Sequence, residues 1–256
     1  MHGHVGRLGE RVFSLAHMEL YLDACGVQHM LVSNLDAATH HPGGADVEEA
    51  PANIACLEAC RDDSRLVPLY WVRLGRVDAN IHAFAGALDV EPFAGAVFAP
   101  GLNGFAADDP RLDAYLSVLA KIKKTAVFLC SHDDPGRPAN IHPLARRHPQ
   151  VPVVLCGVGG DTNWSEALDT VARAWQREEA RLYLCTGRAT VDDVLAAVGS
   201  AGAERILYGS DAVCLGAEHA EHSRLLLEQL KGALPPEAFE KVVGENAARL
   251  FRLVEV

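Results

Sequence analysis

Basic residues are scarce: 23 Lys and Arg stand against 34 Asp and Glu, giving a net charge of −11. Nowhere do they gather into a cluster, so nucleic acid is not an expected partner. No apolar run reaches the roughly 18 residues of a membrane span, and the N-terminus lacks the basic, apolar, small-residue order of a signal peptide. Neither a membrane partner nor export by that route is expected. The cysteines (Cys25, Cys56, Cys60, Cys130, Cys156, Cys185 and Cys214) are odd in number and contain no Cys-x-x-Cys pair. That excludes a simple disulfide framework and makes the reducing cytoplasm the expected location. Linkers, low-complexity tracts and charge blocks are absent as well, so residues 1–256 read as one domain.

What is present is alternation. Short apolar runs recur between helical patterns along the whole chain, the signature of repeated β-α units on a parallel sheet. Strands are predicted at 28–33 (QHMLVS), 66–72 (LVPLYWV), 95–98 (GAVF), 125–130 (TAVFLC), 151–156 (VPVVLC), 181–185 (RLYLC) and 205–208 (RILY). Most are apolar on both faces, as strands are when one face packs a barrel interior and the other packs helices. In DDPRLDAYLSVLAKI, Asp109 can cap, Pro110 suits a first turn, and Leu112, Tyr115, Leu119 and Ile122 form one face. In ATVDDVLAAVG, Thr190 and Asp193 form a capping-box-like pair. The length is close to the roughly 250 residues of an eight-stranded α/β barrel, yet only seven strands are counted. The missing one is expected first, with the chain beginning inside it at an internal Met1.

In such barrels function is built at the carboxyl ends of the strands. His2 and His4 are spaced so that an extended strand would carry both on one face, where two imidazoles can grip one divalent cation; the same pair also reads as a solvated tail. In RILYGSDA, Asp211 at a strand tip can bind metal and take a proton from metal-bound water, or simply cap the next helix. Barrel closure would bring the two ends together. Near the third strand, Arg73 and Trp71 suit a substrate's carboxylate and aromatic face, or are an exposed arginine and a core tryptophan. His40 and His41 read as a loop pair, His219 and His222 as a helix surface, and Cys56 and Cys60 as buried packing.

HGHVG, GVQHMLVSNLDA, GFAADDPRLDAYL, ARRHPQVPVVLCGVGG, ILYGSDA and GENAARLFRL, in that order and spacing, resemble the amidohydrolase superfamily over nearly the whole chain. The resemblance is to the amidohydrolase-related branch that includes decarboxylases similar to aminocarboxymuconate-semialdehyde decarboxylase. It implies a (β/α)8 TIM-type barrel of the metal-dependent hydrolase type, its first strand truncated. It also implies His2, His4 and Asp211 as metal positions, Asp211 doubling as proton carrier. At the fifth strand the family usually carries a histidine. Here Cys130 takes that place, as a zinc ligand or as a small side chain in a packed layer. His132, two residues on, is a substitute ligand or substrate contact. At the sixth strand Gly157 holds the histidine position, and at the fourth Val97 and Ala99 stand where many members have lysine and histidine.

The expected function is therefore a mononuclear hydrolase acting on a small amide, ester or lactone, with one divalent ion, zinc by expectation, activating water. Nonoxidative decarboxylation of a small carboxylic acid is the alternative, as is a binding barrel that has lost its chemistry. The expected partner is the small-molecule substrate; self-association is left open.

Overall fold

A computed structural model describes residues 2–39, 45–75, 77–132, 134–159, 163–210 and 218–253. Strands β1 (His2–Leu8), β2 (Arg11–Phe13), β3 (Met30–Asn34), β4 (Leu66–Val72), β5 (Gly95–Phe98), β6 (Thr125–Leu129), β7 (Val153–Cys156), β8 (Leu182–Cys185) and β9 (Ile206–Leu207) form one sheet in the order β2-β1-β3-β4-β5-β6-β7-β8-β9. Only β2 runs antiparallel, as a hairpin on β1. The other eight are parallel neighbours in chain order, with helices between them, and curl as a TIM-type barrel.

Strand alternation sorts side chains into two cores. Ala96, Phe98, Ala126, Phe128, Val153, Leu155, Leu182 and Leu184 pack outward against the helices. Their neighbours Val97, Val127, Val154, Cys156, Tyr183 and Cys185 pack inward. Each strand is thus dry on both sides, which is why it reads as an unbroken apolar run. The outer core takes the stripes of helices such as α5 (Leu112–Ile122), which buries Leu112, Tyr115, Leu116 and Leu119.

The eighth parallel strand is His2–Leu8 itself, paired with β3 from His2 opposite Leu31 to Val5 opposite Asn34. It supplies the strand missing from the sequence count, at the position expected for it, and both histidines lie within it on one face. HGHVGRL was overlooked because it has only two large apolar residues, Val5 and Leu8. Gly6 shows why the segment is glycine-rich. Its φ is +95°, and a Cβ there would meet Asn34 Oδ1 at 2.3 Å, a conformation and an approach that only glycine tolerates.

Among the described residues no ladder joins β9 to β1; the helix layer closes the ring. Helix α1 (Leu15–Cys25) packs on α9 (Glu218–Ala233), with Cys25 Sγ donating to the Ala220 carbonyl at 3.3 Å. Asn246 at the start of α11 (Asn246–Phe251) donates to the Ala203 and Ile206 carbonyls. The same helix crosses the lower end of the barrel, where Thr125 Oγ1 donates to the Leu250 carbonyl at 2.7 Å.

Two helix starts differ in outcome. The box at Thr190 and Asp193 forms, with both reciprocal bonds present at the head of α8 (Val191–Ala201). Asp109 does not cap α5; Arg111 holds that place, and Asp109 accepts from Arg111 N at 2.9 Å instead. No helix among the described residues is long and apolar enough to cross a membrane.

Candidate active site at the strand ends

His2 and His4 share the inward face of β1, with Leu31 and Ser33 beside them in register on β3. Both are buried, and their ring centroids lie 4.5 Å apart, edge to face. Ser33 sits between them. Its Oγ is 3.1 Å from His2 Nε2 and 2.9 Å from His4 Nδ1. A hydroxyl has one proton, so it donates to one imidazole and accepts from the N–H of the other. The ring that accepts the hydroxyl proton must be neutral. Burial lowers the His2 pKa well below its usual value, with the charges of His4 and the N-terminal amine adding to the effect. A neutral imidazole is the form that binds a metal.

The floor beneath His2 is apolar. A cavity of about 20 Å³ lies among His2, Leu31, Val127, Val154, Leu207 and Phe251, room for one water at most. Residues from the first and last strands thus line one space, as barrel curvature requires. Cys156 and Cys185 also line it, and strand alternation marks them as inward-facing.

Above the pair, Trp71 is fully buried, its ring 6.4 Å from that of His4. Its indole Nε1 donates to Asn103 Oδ1 at 2.9 Å, and Asn103 Nδ2 donates to the Ala37 carbonyl. Arg73 is already engaged: Nη2 pairs with Asp46 at 2.8 Å and Nη1 donates to the Val47 carbonyl. Its backbone N–H reaches Glu49 Oε2 at 2.6 Å. Glu49 also accepts from the Tyr70 hydroxyl, and burial raises its pKa.

Of the remaining sequence candidates, Cys130, His132, Val97, Ala99 and Gly157 fall within the described residues. Cys130 packs against the helix-side core; Sγ lies 3.8 Å from the Phe128 carbonyl, and burial pushes the thiol up. His132 is exposed beyond the strand end. Val97 and Ala99 face inward and are fully buried, an apolar layer in place of ligands. Gly157 has φ +75°, and a Cβ there would meet the Cys130 carbonyl oxygen at 3.3 Å, so a histidine at this position would be strained. Asp211, His40 and His41 lie outside the described residues. Among the described residues no group of three His, Cys, Asp or Glu side chains gathers as a metal cluster. Ser33 was missed by sequence reasoning, as were Cys156 and Cys185; their inward parity on the strands was the available signal.

The amidohydrolase family model matches residues 9–253, and the chain belongs to that family. No curated protein matches the sequence. Among solved structures, 2,6-dihydroxybenzoate decarboxylase in complex with 2,6-dihydroxybenzoate is similar at 17% identity and TM-score 0.71, over 92% of this chain and 87% of that one. A putative amidohydrolase from Staphylococcus aureus is similar at 14% identity and TM-score 0.72, over 99% of this chain and 100% of that one. The 5-carboxyvanillate decarboxylase of Novosphingobium aromaticivorans, complexed with manganese and 4-hydroxy-3-methoxy-5-nitrobenzoic acid, is similar at 14% identity and TM-score 0.70, over 95% and 82%. At these identities the likeness establishes the fold.

Proposed function

We propose that the protein is a metal-assisted nonoxidative decarboxylase of a small unsaturated or aromatic carboxylic acid. The observation that carries this reading is the pair of buried imidazoles on β1, bridged by Ser33 above an apolar floor. Such surroundings disfavour a charged carboxylate relative to neutral carbon dioxide. Support also comes from the fold, which is similar to those of 2,6-dihydroxybenzoate decarboxylase and of 5-carboxyvanillate decarboxylase, the latter complexed with manganese.

Two imidazoles suit a divalent ion of the zinc or manganese kind, and Asp211 would supply the oxygen donor that brings the set to three. When bound, the ion would polarise the substrate's oxygen atoms and draw off charge as it develops. The chain's own residues do the rest. Ser33 holds His2 and His4 together in the metal-free protein, Trp71 closes the side of the site beside His4, and Asp211 would carry the proton. In the step itself the bond from carbon to the carboxylate breaks, its electron pair stays on the substrate carbon, carbon dioxide leaves, and that carbon takes one proton. Arg73 would receive a second substrate anion only by releasing Asp46.

Two measurements test this together. Metal content by plasma mass spectrometry is expected near one per chain in the native protein and near zero in His2→Ala/His4→Ala. Aromatic and dienoic acids are screened for carbon dioxide release that Asp211→Asn abolishes. Equal, near-zero metal in both proteins together with no release would sink the proposal and favour a binding barrel. Two organic fragments without carbon dioxide would restore hydrolysis.

A further inference from the structure

The lower end of the barrel, opposite the His pair, opens into a second cavity of about 430 Å³, within the roughly 300–1,000 Å³ of small-molecule sites. Phe93, Leu250 and Phe251 give it an apolar wall, and its charged liners are Lys123, Lys124 and Arg252. No carboxylate among the described residues lines it, although the chain carries a net charge of −11.

Lys123 and Arg252 each follow the last residue of a helix, α5 and α11, with φ of +57° and +54°. Glycine is the usual residue at such a position; here two cations hold it, side by side at one cavity. Neither makes a salt bridge or a side-chain hydrogen bond among the described residues. Lys124 Nζ is half-buried and donates to the Leu88 carbonyl at 2.6 Å. Burial, then the charge of Arg252, lowers its pKa, against the opposing charge of Asp89, which does not line the cavity. Lys123 and Arg252 are exposed at the cavity rim, and Arg252 lies near enough to Lys124 for the two charges to repel, a repulsion that an anion bound between them would relieve.

We propose that this cavity binds a small amphipathic carboxylate, its apolar body on Phe93, Leu250 and Phe251 and its carboxylate among Lys123, Lys124 and Arg252. The site is separate from the strand-end site but not insulated from it. Phe251 also lines the cavity under His2, so a ligand below rests on the side chain that floors the space above.

Calorimetric titration of the full chain with octanoate tests the site. One octanoate per chain is expected, bound at least tenfold more weakly by Lys123→Gln/Arg252→Gln and with affinity restored by Lys123→Arg/Arg252→Lys. His2→Ala/His4→Ala should bind it unchanged, and inorganic phosphate, lacking an apolar body, should bind more weakly than octanoate. Equal affinity in the double glutamine variant overturns the proposal. So does loss of binding in the histidine variant, which would place octanoate at the upper site. Binding that appears only after residues 254–256 are deleted also overturns it, because the chain's own tail would then be the occupant.

Discussion

Replacing Ser33 with alanine isolates the feature on which the candidate site rests. The hydroxyl bridges His2 and His4 at 3.1 and 2.9 Å, and the two rings are only 9% and 5% exposed. Removing it leaves a lone pair on one ring and an N–H on the other without that partner. A stranded buried polar group costs about 1–3 kcal/mol. The small cavity beside His2 can admit a water that recovers part of this, so the loss is placed at about 2–3 kcal/mol for metal-free protein. For a chain of this size each kcal/mol moves the midpoint by about 2–4 °C, which predicts a fall of roughly 4–12 °C. Thermal and urea unfolding after exhaustive chelation, with Ser33→Thr as the control that keeps a hydroxyl, provides the measurement. In this structure Ser33 occupies Nε2 of His2, a nitrogen a metal would use. Added zinc or manganese should therefore stabilise Ser33→Ala at least as much as the native protein. A change of less than about 0.5 kcal/mol, the range of an ordinary surface substitution, would show that the hydroxyl does not bridge the rings and would refute the argument.

Two further outcomes follow from other parts of the structure. His142 is held below its ordinary pKa of 6.5 by burial and by Arg146, Arg173 and Arg177, against Glu179. Below pH 6.5 the unfolded chain therefore takes up a proton that the folded chain does not, so this residue makes stability fall as pH drops through that window. The urea midpoint of His142→Gln should lose less between pH 7.5 and 5 than that of the native protein; identical losses would dismiss the role. Gly157→Ala places a side chain at φ +75° against the Cys130 carbonyl oxygen and should cost about 1–2 kcal/mol by urea unfolding, the cost of a left-handed conformation. No loss would mean that this turn relaxes freely.

How much of this was readable beforehand depends on how many residues share each signal. Strands 66–72 and 95–98 were located to the residue because their apolar content is dictated by two cores at once. The first strand carried no such run: β1 holds its place through register with β3 and through glycines that permit close approach, neither visible in hydrophobicity. The helix box at Thr190 was legible because a capping box is local, whereas the start of α5 was settled by a turn at Asp109 that competes with the cap.

At the site the same period-two alternation discriminates between neighbours. Counting inward from Val127 gives Leu129, so Cys130 falls on the helix side; counting from Val154 gives Cys156, so the thiol faces inward and Gly157 turns the chain. The side chain just before the glycine, with Cys185 on the next strand, is therefore what β7 and β8 offer to the interior. The barrel tolerates such changes because its stability is spread over two cores and many strands. A metal site has three or four donors, and each substitution there alters its chemistry directly. That asymmetry explains how the chain keeps the fold and the β1 histidine pair while its fifth and sixth strands depart from the expected ligands.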